Sequence, residues 1–388
     1  MKSLIIYFLI LLSFLETGLQ NFLVVLILLL GSCWIGLSGI FSYSSVIRIN
    51  HYALLQVLIF VFYIIFLSII TFYKLEYIPI TIINLFISYI ALSFVALIGR
   101  NDFNVDRQIV KVIEQGMKFF YIAISIYIIL LSVLSIEVGF YQARIISPGN
   151  AIFGVGEFSD SHSFSMQYSI LCIVNLIFII NKNPSYAKLI GFFCFSVYCL
   201  SLIGSRSGTL SFLLISFFLF LKNIEMSKAF IFVFAILLIS LLLIFFDFNL
   251  NSCPPTTANI CTNRSFSFDP NSDSDRIRNL LEGIYLFGES NTWLFTSPEA
   301  FTDNKQFFDM FALNAMLSIG IIGVFYICIV YLARPYFRVV YIFPFLASLF
   351  LLSEFILLPR ILILVSMWLL IGKFYYDKTS IKINSSYI

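Results

Sequence analysis

The chain has 388 residues, of which 61% are hydrophobic, 18% aromatic and 11% charged, and its net charge is +3. Its mean hydropathy is +1.01. A chain with so few polar residues cannot cover the surface of a water-soluble globule, so a hidden soluble domain is excluded. We also expect no nucleic-acid partner.

Apolar runs recur along the chain, and roughly 20 helical residues suffice to cross the hydrocarbon core of a membrane. The first run, after Met1 and Lys2, is predicted to be an uncleaved helix because no signal-peptide cleavage site follows. We predict an all-α polytopic membrane protein, with nine spans in 1–248, a large polar loop at 249–306, and three spans with a tail in 307–388. About twelve spans fit, centred near residues 10, 31, 62, 88, 127, 172, 195, 215, 238, 320, 345 and 365.

Basic residues in the connections set the orientation, because cytoplasmic loops keep an excess of Lys and Arg. With both termini inside, fifteen of the 23 basic residues, Lys373 among them, fall on the cytoplasmic side with only five of the 20 acidic residues. The opposite orientation would reverse this bias. We therefore predict that segments 137–162 and 249–306 and the connection 204–208 face outward.

The seven cysteines divide into two sets. Cys253 and Cys261 lie in the large loop, where an oxidising compartment would permit a disulfide; a bridge and two free thiols are equally compatible with the sequence. The others lie in apolar runs, where they are expected to act as small hydrophobes: Cys33, Cys172, Cys194, Cys199 and Cys328.

The sequence offers no sign of a cofactor. It contains neither a Walker-type nor a GxGxxG loop, and no His, Asp and Glu cluster has convincing metal-ligand spacing. We find no charge at mid-membrane depth either, which disfavours an ion-coupled carrier.

Arg206 is the first candidate for chemistry. It lies in the short connection Gly204-Ser205-Arg206-Ser207-Gly208, where small neighbours would let an anion approach the amides at the start of the next helix. The guanidinium would add a bidentate, permanently charged partner. The alternative is an arginine that reaches lipid headgroups without a specific ligand.

Arg276 and Arg278 form the second candidate, within the large loop. Ser272 and Asp275 resemble a capping box, and a stripe of apolar residues that ends at Tyr285 predicts a short amphipathic helix ending near Gly288. A helix lying on the membrane surface would hold both arginines at headgroup level. The alternative is an ordinary solvated helix face.

The third candidate is the outward segment 137–162, which carries Arg144, Glu157, Asp160 and His162. His162 titrates near neutrality without assistance, but it is equally well explained as a polar residue near the start of the sixth span. Glu157 and Asp160 are further candidates for a general base.

Three stretches resemble the Wzy-type polymerases of bacterial O-antigen and capsular polysaccharides, in the O-antigen ligase and polymerase superfamily. They are GVGEFSDSHS at Gly154–Ser163, GSRSG at Gly204–Gly208, and Asp275–Gly288 followed by LNAMLSIGIIG at Leu313–Gly323. The resemblance covers most of the chain as an architecture and is carried by short motifs.

The resemblance implies a GT-C-like glycosyltransferase of the bacterial inner membrane that polymerises undecaprenyl-pyrophosphate-linked oligosaccharide units at the periplasmic face. The growing glycan would move as a block onto a new lipid-linked unit. Arg206, with Arg276 or Arg278, would bind the pyrophosphates, with Arg144 as a further substrate-binding residue. Because fixed guanidinium groups can stabilise the leaving charge, transfer is expected to be metal-independent. Implied partners are the lipid-linked oligosaccharides, membrane lipids and a chain-length regulator.

Two other functions compete with this interpretation. An O-antigen ligase, which moves glycan to lipid A core, usually has a His-Asn element late in its large loop, whereas this loop has no histidine and shows Asp303-Asn304. A polysaccharide flippase or other transporter is disfavoured by the long outward loop.

Overall fold

The computed structural model describes eleven stretches of the chain: 2–15, 22–41, 51–99, 107–137, 161–182, 185–203, 206–221, 281–288, 294–301, 311–332 and 359–385. Within them the regular elements are all helical, which agrees with the predicted all-α class. The helices are α1 (Lys2–Leu15), α2 (Phe22–Phe41), α3 (His51–Leu75), α4 (Ile80–Ala96), α5 (Arg107–Glu137), α6 (Ser161–Ile180), α7 (Tyr186–Ile203), α8 (Arg206–Leu221), α9 (281–288), α10 (Phe311–Leu332) and α11 (Pro359–Ser385). Short 3₁₀ helices lie at Leu97–Gly99 and Pro298–Phe301.

Helices occur where the apolar runs predict them. Ten of the predicted span centres lie in described helices, and those near residues 238 and 345 lie outside the described residues. Two of the described stretches, Leu55–Leu75 and Arg107–Leu130, are long and apolar enough to cross a membrane.

The two helices that contain these stretches, α3 and α5, expose apolar stripes. In α5, Phe119, Ile122, Ile126 and Leu130 are each more than half exposed and recur at helical spacing. α3 shows a similar face that includes Phe62 and Ile69. A contiguous apolar face of this kind suits lipid far better than water.

The described helices divide between two compact units. The first unit covers Ser3–Asn21 and Ile113–Asp273 and contains α1, most of α5, and α6 to α8. Its centre is α6, in which every residue from 164 to 178 is buried. The polar side chains of this buried helix bond inside the unit, because Gln167 Nε2 donates to the Ser13 carbonyl at 3.0 Å and Asn175 Nδ2 to the Met117 carbonyl at 3.2 Å.

The second unit covers Phe22–Val112 and Ser274–Ile388. In it α2, α3 and α10 all pack against α4, and α11 packs chiefly against α2. The core includes the fully buried rings of Tyr89 and Trp368.

Lys373 is a buried basic residue of the second unit. The sequence predicts it on the cytoplasmic side, and in the structure α11 continues beyond it to Ser385 and Lys373 is only 2% exposed. It interacts with other groups of the protein.

Candidate functional site

The structure describes the backbone of two of the predicted site residues. His162 is the second residue of α6, and Arg206 is the first residue of α8. Arg144, Glu157, Asp160, Arg276 and Arg278 lie outside the described residues, as do Cys253 and Cys261.

The first turns of α6 and α8 lie side by side in the first unit, where Gly208 contacts Ser165. A β-carbon on Gly208 would lie 2.7 Å from the carbonyl carbon and oxygen of Ser165 and would also overlap its hydroxyl. Only glycine permits this approach. The contact brings the N-termini of α6 and α8, and with them His162 and Arg206, to the same end of the unit.

The connection before Arg206 is shorter than predicted. Residues 204–208 were expected to form it, but α8 already begins at Arg206, so only 204–205 separate it from α7. Packing of Gly208 against α6 favours a helical first turn. Arg206 therefore stands at the positive end of a helix, where unpaired amides and the dipole favour an anion.

Hydroxyl groups buried beneath this end join three helices of the first unit. Ser125 Oγ of α5 donates to the Tyr121 carbonyl at 2.6 Å and lies 2.7 Å from the Tyr168 hydroxyl of α6. The Tyr121 hydroxyl lies 3.0 Å from Ser196 Oγ of α7, and the Tyr121 and Tyr168 rings stack. Bonds of this kind fix the rotation of α6 between its neighbours, because slippage would leave buried hydroxyls unpaired.

An ion-pair cluster lies at the opposite end of α6. Glu114 Oε1 accepts from Lys118 Nζ at 2.6 Å and from Lys182 Nζ at 2.7 Å. Lys182 follows the C-terminus of α6, so this cluster is remote from Arg206 and His162.

In the second unit, α9 is the described part of the predicted amphipathic loop helix. Residues 281–288 are helical, as the sequence predicts, whereas residues 272–280 and 289–293 lie outside the described residues. Leu281, Ile284 and Tyr285 are all more than half exposed on one face. An exposed apolar face fits a helix that rests on a membrane surface.

The sequence analysis missed a break in α10. Gly320 has φ 64° and ψ 178°, a conformation available essentially only to glycine. The freed carbonyls find other donors, because Tyr63 Oη donates to the Ile319 carbonyl at 2.6 Å and the Ser297 amide donates to the Leu317 carbonyl at 2.7 Å. The signal was two glycines, Gly320 and Gly323, in one apolar run.

Residues 294–301, which we call the strap, fill this break. The Ile322 amide donates to the Leu294 carbonyl at 3.2 Å, and Thr296 Oγ1 bonds the Leu317 carbonyl at 3.3 Å. A β-carbon on Gly320 would lie 2.5 Å from the carbonyl group of Phe295. Strap and broken helix therefore complete each other's backbone hydrogen bonds.

The strap is also attached to α3. Lys74 Nζ and Glu299 Oε1 form an ion pair at 2.6 Å, and the rings of Phe66 and Phe295 meet edge to face with centroids 5.4 Å apart. The pair is partly solvated, with side chains 21% and 47% exposed. The end of the large loop is thereby fixed to two helices of the second unit.

No family model, curated protein or solved structure matches the chain significantly. Within the described stretches, no group of three or more His, Cys, Asp or Glu is placed to hold a metal ion.

Proposed function

We propose that this chain is a polymerase of undecaprenyl-pyrophosphate-linked oligosaccharide units, acting at the periplasmic face of the bacterial inner membrane. The observation that carries the proposal is the Gly208–Ser165 contact, which sets Arg206 at the joined N-termini of α6 and α8. Amide groups and helix dipoles meet at this end, and together with an arginine at the first helical position they suit a pyrophosphate.

Transfer would follow from this charge arrangement. The bond between the anomeric carbon of the growing glycan and its pyrophosphate oxygen breaks, and a hydroxyl oxygen of the new unit bonds to that carbon. The hydroxyl proton passes to a general base, for which Glu157, Asp160 and His162 are the candidates. Undecaprenyl pyrophosphate leaves with its charge stabilised by Arg206, in a setting less polar than bulk water. Arg276 or Arg278 is proposed, from the sequence alone, to bind lipid pyrophosphate as well. Arg144 would contribute to substrate binding from the other outward segment, and no metal is required in this scheme.

The proposal requires a particular topology. About twelve helices would cross the membrane with both termini in the cytoplasm, and both 137–162 and 249–306 would lie in the periplasm. Reporter fusions at Gly208 and Ser272 should both give periplasmic signals. A cytoplasmic signal at Ser272 would overturn the site together with the orientation.

Surface glycans from cells with and without the protein distinguish the proposed activity from its competitors. Loss of a polymerase should leave single repeat units attached to lipid A core. Loss of all attached glycan would instead indicate an O-antigen ligase or a carrier. A chain-length regulator, as a further partner, would alter the length distribution without abolishing polymerisation.

A further inference from the structure

The strap contacts α3 at two levels along the helix axis. Glu299 is paired with Lys74 in the last turn of α3, while Phe295 packs against Phe66, eight positions earlier in the same helix. Eight helical residues correspond to about 12 Å. From Phe295 to Glu299 the strap therefore runs along α3 toward the C-terminal end of that helix.

Such a non-helical segment is tolerated within a membrane only where its backbone groups are satisfied by protein or water. Here the Leu294 carbonyl and the Ser297 amide bond to the two sides of the break at Gly320, at 3.2 and 2.7 Å. Thr296, Ser297 and Pro298 are buried. The break in α10 thus forms the binding site of the strap.

The strap also limits where the large loop can go. Only five residues lie between residue 288 of α9 and Leu294, so even an extended chain spans about 20 Å between them. Arg276 and Arg278 precede α9 directly in the sequence. A fixed strap thus keeps the described end of α9 within about 20 Å of Leu294.

We infer that the strap is an anchor for the end of the large loop, and that Lys74, Glu299 and Gly320 are positioning residues that fix this end of the loop for binding of the lipid-linked unit. This inference rests on the proposed polymerase function. It adds three residues that touch neither the substrate nor the reacting atoms.

The anchor itself is tested without any activity measurement. A carbodiimide activates Glu299 and allows the Lys74 amine to displace the activating group, which leaves an amide bond between the two side chains. Applied to intact membranes, it should yield a Lys74–Glu299 cross-linked peptide by mass spectrometry. If cross-linked peptides from the Glu114–Lys182 pair form but none links Lys74 to Glu299, the placement of the strap is overturned.

The positioning role is tested with purified, reconstituted protein and lipid-linked repeat units. Lys74→Glu and Glu299→Lys should each raise KM for the lipid-linked unit about fivefold, the size expected for a partly exposed ion pair. The double variant Lys74→Glu/Glu299→Lys should return KM to near the wild-type value. Glu299→Gln removes the charge with little change of shape and should raise KM less. Lys182→Glu reverses a charge in the Glu114–Lys182 pair, which lies at the end of α6 remote from His162. It serves as the matched control and should leave KM unchanged.

The possible outcomes distinguish the positioning role from the polymerase proposal. If the wild-type protein extends chains and all the Lys74 and Glu299 variants keep its KM, the positioning role is overturned and the polymerase proposal stands. A fall in kcat at constant KM would indicate a structural role alone and would also overturn it. If the wild-type protein extends no chains, the polymerase proposal fails and the positioning role fails with it, whereas the cross-link would still report the anchor.

Discussion

Gly208 of α8 lies against the backbone of Ser165 of α6, so closely that a β-carbon on Gly208 would be 2.7 Å from the Ser165 carbonyl group. This relationship places the starts of two helices together and brings Arg206 and His162 to one end of the first unit. Because both residues belong to the first turns of helices, no long loop is needed to bring them to the same end of the unit. The candidate site is therefore built on helix ends, which hold charged groups more rigidly than loops do.

The Gly208→Ala variant should separate α6 and α8. Because the obstructing atoms belong to the backbone of Ser165, the helices must move, and overpacking of this kind typically costs about 1–3 kcal/mol. The thermal unfolding midpoint in detergent should fall. Gly191→Ala is the control, because a β-carbon there meets nothing within 4 Å, and its midpoint should not fall.

The Gly320→Ala variant should be more damaging. Alanine is strained at φ 64°, and its β-carbon would overlap the carbonyl groups of Leu294 and Phe295. Strain of about 1–3 kcal/mol adds to the displaced strap, so we expect low membrane abundance or early unfolding by the same assay. Gly288→Ala, which meets nothing within 4 Å, should resemble wild type. Equal midpoints for the two variants would contradict the account of the break.

The hydroxyl pair Ser125 and Tyr168 should be coupled. Ser125→Ala leaves the buried Tyr168 hydroxyl without its 2.7 Å partner and should cost about 1–3 kcal/mol. Tyr168→Phe should cost less, because Ser125 Oγ keeps its bond to the Tyr121 carbonyl. A double-mutant cycle on unfolding free energies should show that the double variant loses less than the two single losses combined. Strict additivity would show that the two hydroxyls do not interact.

The sequence predicts the positions of the helices well, because they follow long apolar runs that need no knowledge of tertiary contacts. The helical conformation of residues 281–288 was likewise predicted from the apolar stripe. The strap could not be predicted, because its partners on α3 are distant in the sequence: Lys74 and Glu299 are 225 residues apart. The burial of Lys373 could not be predicted for a similar reason, since burial depends on which helix packs against α11.

The Gly208–Ser165 contact shows the same limit. Glycine and serine at 204–208 suggested an open turn that an anion could approach, but the sequence does not reveal that Gly208 serves a helix contact. An open turn that binds an anion and a close contact between two helices both favour small residues. Only the packing in the structure distinguishes the two.

The most direct test of the polymerase proposal is chain extension by purified protein in lipid vesicles, with lipid-linked repeat units as the substrate and Arg206 as the variable. Arg206→Ala should slow extension about 10²–10³-fold, by analogy with removal of one oxyanion donor worth roughly 2.7–4 kcal/mol. Arg206→Lys keeps the charge but loses the planar fork, so it should be almost as slow. With the variants compared at equal folded amounts, long glycans from wild type and short ones from both variants are the predicted result. Normal long-chain glycan from Arg206→Ala would contradict the account, because the residue would then only anchor the start of α8.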